Sequence, residues 1–305
     1  MAAEMKAVVL LLVLAAAKAS AAEVGAVHCQ LDDGGGDGGV TYRIEPWGEN
    51  SLRVRIGSDP SAELPQQALL PQPPKPVSRI VTDGVCGVTS GNLKATVLNG
   101  KIQFVEVSTG VLLLAETAHS VCSGGAACQA KMPGVAASVP PAGSITFASS
   151  PAERIFGLGE HRTGKLDNHG LSLDFMDAGV YDHHHAGDII LPVYFSDVPS
   201  AQPKRYGFMW NMASFGAFNS TDTEIRWDSA STPVLDFWVT TGGPSTASAA
   251  SAAAASVDEN PFKTMLGQFA DVTGHPPPMP DFATGFWQCK NRYRSQEELL
   301  STARE

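Results

Sequence analysis

LKATVLNGKIQFVEV, residues 93–107, reads as two strands folded back on a two-residue turn. Asn-Gly at 99–100 is the strongest short hairpin signal, because both turn positions require positive φ and these two residues tolerate it. On either side of the turn, apolar residues alternate with polar ones, the period of two that puts one face of a strand on a core. The same alternation appears in Leu52-Arg53-Val54-Arg55-Ile56, which places Leu52, Val54 and Ile56 on one buried face. Further strands are expected at 111–114, 144–147, 171–175, 192–196, 206–211, 225–228 and 234–240. Many short strands with no helical period between them point to a mainly β chain folded as a sandwich, expected to span residues 22–259.

Composition agrees with that class and narrows the partners. The chain has 305 residues, 43% of them hydrophobic, with Gly 30 and Pro 21, enough for a sizeable core and many turns. A formal charge of -10 offers no basic stripe for counterion release, so neither nucleic acid nor an anionic membrane is an expected partner. Two segments break the strand pattern: a Gly/Asp run at 32–39 and an Ala/Ser-rich run at 242–256, read as a surface insertion.

The first residues read as a processing signal spanning 1–21. Lys6 supplies a positive n-region, 7–17 an apolar run, and Ala19-Ser20-Ala21 a small-residue cleavage site. That run is too short to cross a bilayer, which takes about 20 apolar residues. A secreted or vesicular product is therefore expected, and in that compartment Asn219-Ser220-Thr221 becomes a glycosylation sequon at Asn219. Among the cysteines, Cys122 and Cys128 flank a short Gly/Ala loop that could close on itself, leaving Cys29, Cys86 and Cys289 with no pairing fixed by the sequence.

After the insertion the pattern changes. Asn260 caps a helix with Pro261 at its first turn, Phe262, Met265, Leu266 and Phe269 form an apolar stripe, and Gly274 closes it, giving a connecting helix at 260–275. Pro276 to Pro280 forms a stiff connector, 283–289 an apolar strand, and Ser295 with Glu298 a capping box opening a second helix. Residues 276–305 thus read as one strand and one helix of a larger unit. The chain stops inside that helix, so it reads as part of a longer protein.

Four stretches together resemble glycoside hydrolase family 31, the retaining α-glucosidases and α-xylosidases: FGLGEH at 156–161, ILPVYFS at 190–196, RYGFMWN at 205–211, and NPFKTMLGQFADVTGHPPPMPDFATGFWQCKNRY at 260–293. The resemblance implies a mutarotase-like N-terminal β-sandwich followed by the first βα unit of a (β/α)8 barrel, 276–305 being its truncated start. It implies an α-linked oligosaccharide or glycoside as substrate, no cofactor, and GFWQCKNRY of an α-xylosidase-like kind. Retaining hydrolysis needs two carboxyl groups about 5–5.5 Å apart. In this family both are aspartates on later barrel strands, which have no counterpart here, so no catalytic residue is assigned and the chain alone is expected to be silent.

What remains is the rim of a sugar site. Barrel active sites lie at the C-terminal ends of the strands, so Trp287, Lys290 and Asn291 are the candidates for contact with substrate, the ring by stacking and the other two by hydrogen bonds. Many relatives carry an aromatic residue near the position of Asn291. The family's sandwich also sends an acidic or amide side chain to the pocket from a loop after FGLGE; here Gly179 stands where the acid is expected and Asp177 is the candidate. Consecutive His183, His184 and His185 do not make a metal site, because neighbouring strand positions face opposite sides. Glu160 and His161 are expected to hold their turn by hydrogen bonds. The alternative reading is a carbohydrate-binding or structural sandwich without catalysis.

Overall fold

The structure, a computed structural model, describes residues 23–24, 26–30, 40–61, 68–72, 76–82, 85–121, 143–161, 163–175, 189–212, 216–230, 234–243, 260–288, 290 and 292–304. The chain divides into two units, Met1–Thr273 and Gly274–Glu305.

The first unit is a sandwich of two antiparallel sheets. Its strands are β1 (Glu23–Val24), β2 (Val27–Gln30), β3 (Thr41–Pro46), β4 (Ser51–Gly57), β5 (Pro76–Thr82), β6 (Val85–Ser90), β7 (Leu93–Leu98), β8 (Lys101–Glu106), β9 (Leu112–Val121), β10 (Gly143–Ala148), β11 (Arg154–Glu160), β12 (Ser172–Asp174), β13 (Ile189–Val198), β14 (Lys204–Trp210), β15 (Gly216–Ser220), β16 (Glu224–Ser229) and β17 (Leu235–Thr241). One sheet has ten strands in the order β1-β5-β6-β7-β8-β9-β10-β16-β15-β12. The other has seven, in the order β11-β13-β14-β17-β4-β3-β2. The β7–β8 hairpin forms as read, with Asn99 at φ 50° and Gly100 at φ 73°.

Alternation explains the core. Phe208 and Trp210 of β14, Phe237 and Val239 of β17, and Leu52, Val54 and Ile56 of β4 point between the sheets and meet Trp227, Phe218 and Phe147 from the ten-stranded sheet. Phe208 stacks on Trp227 at 5.4 Å and on Phe237 at 5.3 Å, ring separations that suit offset stacking. The intervening residues Met209 and Trp238 face the opposite side, where they pack with Leu69, Val272 and Phe269. A helix therefore covers the outer face of the seven-stranded sheet. This is α1, Pro261–Thr273, and because of it β4 and β17 are buried on both faces.

The helix begins as expected, with Asn260 Oδ1 accepting the Phe262 amide at 3.0 Å. Its stripe is narrower than the sequence suggests: Met265, Gln268 and Val272 are buried and Leu266 is exposed. Gln268 enters because Thr240 of β17 donates a hydrogen bond to its Oε1. Leu70, in the loop above, anchors its amide on Val272 O at 2.8 Å.

Both carboxylates on that face are paired with guanidinium groups. Asp236 accepts Arg53 Nε at 3.0 Å and Asn211 Nδ2 at 2.9 Å, and Glu45 accepts Arg43 at 2.7 Å and Arg55 at 2.8 Å. Burial alone would raise the Glu45 carboxyl, but the two guanidinium groups outweigh it and hold it below its ordinary value. For Asp236 burial wins over Arg53 and Asn211, and the carboxyl is raised. Between the sheets, Glu153 accepts the hydroxyls of Ser196 at 2.6 Å, Tyr206 at 2.7 Å and Ser149 at 2.7 Å, while burial drives Tyr194 and Tyr206 well above the usual phenol range. A disulfide joins Cys29 to Cys86 across the sheets, a pairing the cysteine spacing did not fix.

The second unit departs from the sequence reading. Where 283–289 reads as a barrel strand, the chain forms a 3-10 turn over Asp281–Thr284 and then irregular backbone through Gln288. The physical reason is pairing: no described strand lies beside this segment, and a strand without a ladder leaves its amides unsatisfied. The amides are used locally instead, Ala283 N donating to Pro280 O at 2.9 Å and Gly285 N to Phe282 O at 3.2 Å. The second helix, α2, does form over Gln296–Arg304.

Candidate functional site

Two places were expected to face substrate, and each is built from its own local chemistry. The first follows the FGLGEH stretch. Gly157, Leu158 and Gly159 all have positive φ, 119°, 68° and 105°. They make an irregular step in the β11–β13 pairing, which passes from Gly157↔Tyr194 to Gly159↔Ile190. Glycine is required at the flanks: a Cβ on Gly159 would sit 2.2 Å from Ile189 O, and one on Gly157 would sit 2.6 Å from Val193 O. The step turns Leu158 into the core, where it is fully buried. His161 Nε2 donates to Leu158 O at 2.9 Å and Asn168 Nδ2 to Gly157 O at 2.9 Å, so His161 holds the turn as expected, while Glu160 points to solvent. Asp177 and the three histidines, which follow β12 in the sequence, lie outside the described residues.

The second place is the segment after Pro280. Trp287 is two-thirds exposed, its Nε1 donates to Ala283 O at 2.9 Å, and its ring lies 6.4 Å from that of Phe282. The indole is thus held by its edge with a broad face in solvent, the presentation a sugar-stacking ring needs. Phe286 is more exposed still, at 89%. Lys290 is tied down: its ammonium pairs with Glu298 and lies 5.3 Å from the Tyr293 ring centroid. The hydrogen bond to Glu298 raises the Lys290 ammonium, and the same bond holds the Glu298 carboxyl low. Asn291 lies outside the described residues, so among the expected contacts only Trp287 and Lys290 have a described geometry, and each engages a different neighbour.

Sequence reasoning missed two partners in this segment. Phe282 was passed over because it precedes the apolar run, yet it is the ring that Trp287 rests near. Glu298 was read only as half of a capping box. Ser295 Oγ does accept the Glu298 amide at 3.1 Å, but the Glu298 carboxylate takes the Arg294 amide at 2.9 Å, one residue before the expected one, and the Lys290 ammonium besides. The signal was present in the charge pattern, a lysine shortly before an acidic first turn. Among the described residues no group of His, Cys, Asp and Glu side chains is placed to hold a metal ion. None of the described helices is long and apolar enough to cross a membrane.

Asn219 sits in β15 opposite Ser172 and Arg226. Phe218 before it and Ser220 after it are buried, and Asn219 itself is half-buried on the strand. Thr221, the third sequon residue, starts the tight turn into β16, with its amide on Glu224 O at 2.8 Å.

Comparison with known proteins points to one family. The chain is 30% identical over 280 residues to an uncharacterized family 31 glucosidase of Pseudescherichia vulneris, covering 86% of this chain and 47% of that protein. Over most of its length the chain is thus similar to glycoside hydrolase family 31. It is also 26% identical over 155 residues to α-xylosidase A of Aspergillus niger, over 51% of this chain and 17% of that enzyme. Its fold superposes on the crystal structure of a family 31 α-xylosidase from a soil metagenome, complexed with xylose, with a TM-score of 0.65 and 26% identity over 92% of this chain and 38% of that one. The chain spans about half the length of the first of these relatives and less of the others. No family model matches the sequence.

Proposed function

We propose that these residues are the N-terminal sandwich and the opening of the catalytic domain of a retaining α-glycosidase, of α-xylosidase or α-glucosidase type, acting on an α-linked oligosaccharide or glycoside without a cofactor. The observation that carries this is the match to a family 31 glucosidase, 30% identical over 280 residues and 86% of this chain. The likeness to an α-xylosidase solved with xylose supports the xylosidase type. Within this role the second unit contributes Trp287 as a stacking face, Lys290, set by Glu298, as a donor to sugar hydroxyls, and Asn291 as a further contact, while Asp177 is the sugar contact assigned to the first unit. The inter-sheet disulfide and the leader-like residues 1–21 support maturation in an oxidising, secretory compartment, where Asn219 would be glycosylated.

The 305 residues by themselves are silent in this reading. Without a nucleophile no glycosyl intermediate forms, and without a general acid about 10²- to 10⁴-fold of rate is lost. The test is hydrolysis of aryl α-xylosides and α-glucosides by the purified chain, with Asp177→Ala as a control for copurifying activity. No release above the blank is expected. Turnover that elutes with the chain and falls in the variant would overturn both the silence and the assignment of Asp177 to binding alone.

A further inference from the structure

The N-terminal strands do something the other strands do not. Among the described strands β1 pairs only with β5, through Glu23↔Val77 and Val24↔Pro76, so it is the edge of the ten-stranded sheet as described. β2 pairs only with β3, from Val27↔Ile44 to Gln30↔Thr41, so it is the edge of the seven-stranded sheet. Residues 23–30 therefore pass from one sheet to the other and close one open side of the sandwich. Behind them lie Tyr42 and Ile44, both fully buried. On its own this segment is weakly held: β1 is two residues long, β2 is four, and Val27 and Cys29 are its described contributions to the core. Chain termini fray unless something ties them down. The tie here is covalent, because Cys29 of β2 is bonded to Cys86 of β6, the third strand in from the β1 edge of the ten-stranded sheet.

We infer that residues 23–30 are a strap locked over the sandwich edge by the Cys29–Cys86 disulfide, and that reduction of this bond releases the strap while leaving the rest of both sheets folded. Formation removes two electrons and two protons from the two thiols and passes them to the disulfide of a thiol–disulfide oxidoreductase, which becomes a dithiol; a dithiol reductant reverses the exchange. Release would unpair the β3 edge from Thr41 to Ile44 and the β5 edge at Pro76 and Val77, and a bare edge is a template for pairing with another chain. The lock thus guards the protein against edge-to-edge association once an oxidising compartment has closed the bond. The inference does not depend on the glycosidase reading.

Hydrogen–deuterium exchange on the full chain tests it, comparing the oxidised protein, the same protein after mild dithiothreitol, and the Cys29→Ser/Cys86→Ser variant. Amides at 26–30 and 41–46 are expected to exchange about an order of magnitude faster once the bond is gone, while those of β14 and β17 keep their protection. The wild-type chain reduced in place gives this reading even where the variant does not fold. Unchanged exchange at 41–46 would show that the strap holds without its lock, and a uniform rise through both sheets would show a staple of the whole sandwich; either overturns the inference. So would alkylation of the secreted protein at both Cys29 and Cys86 without prior reduction.

Discussion

Replacing Asp236 by alanine should be among the most damaging single changes to the sandwich. Its side chain is fully buried on the helix-covered face of β17, where it receives Arg53 Nε at 3.0 Å, Arg53 NH2 at 2.5 Å and Asn211 Nδ2 at 2.9 Å. Arg53 is itself 4% exposed and lies 4.6 Å over the Trp47 ring, so it cannot turn out to water without opening the face. Removing one partner of a buried pair leaves a desolvated charge and costs about 3–5 kcal/mol. Against a domain stability of about 5–15 kcal/mol, that is a large fraction. Replacing both partners by apolar residues, Arg53→Met with Asp236→Leu, should recover most of the loss. The reason is in the carboxyl: burial raises it despite Arg53, so desolvation offsets much of the attraction, and a buried ion pair can often be replaced by apolar residues of similar volume at little cost. Urea unfolding followed by tryptophan fluorescence measures each variant, with the double-mutant cycle giving the coupling. A loss below about 1 kcal/mol for Asp236→Ala, or a double variant as unstable as the sum of the singles, would refute the reasoning.

Other outcomes follow from single positions. Glu45, held low by Arg43 and Arg55, contributes stability that is present above its ordinary value of about 4.5 and is lost as pH falls through its lowered folded value, so Arg55→Met should move the acid unfolding midpoint to higher pH in a pH titration of circular dichroism. Gly159→Ala should lower the thermal midpoint by more than Gly164→Ala, because a Cβ at 159 meets Ile189 O while one at 164 meets nothing, both positions having positive φ; equal shifts would remove the steric argument. Thr221→Ala should abolish a glycan at Asn219, read as a mass decrease on the secreted protein, and an unchanged mass would show that the sequon is unused.

Local signals carried most of the sandwich and little of what lies outside local range. Asn99-Gly100 announced its hairpin because turn chemistry is written in two residues, and Asn260-Pro261 announced α1 because a cap is written in three. Alternation placed Leu52, Val54 and Ile56 correctly but left Arg53 and Arg55 facing solvent by default. They are buried because α1 and the 68–72 loop, far away in sequence, cover that face. The run 283–289 was read as a strand from its apolar character alone, and a strand is decided by its neighbours in space. The Cys29–Cys86 pairing was beyond reach for the same reason, since it follows from how two sheets face each other. At the sugar-facing segment, the residue types Trp287 and Lys290 could be read from the sequence, and their orienting partners Phe282 and Glu298 could not.

The central claim, that these residues open a longer family 31 α-glycosidase, is tested most directly by sequencing the transcript beyond codon 305. The account predicts an in-frame continuation that encodes the remaining barrel strands and two aspartates at their C-terminal ends, the pair that retaining hydrolysis requires. A stop codon directly after Glu305 in every transcript, with a secreted and monodisperse 305-residue product, would contradict it and leave a sandwich that works without the barrel.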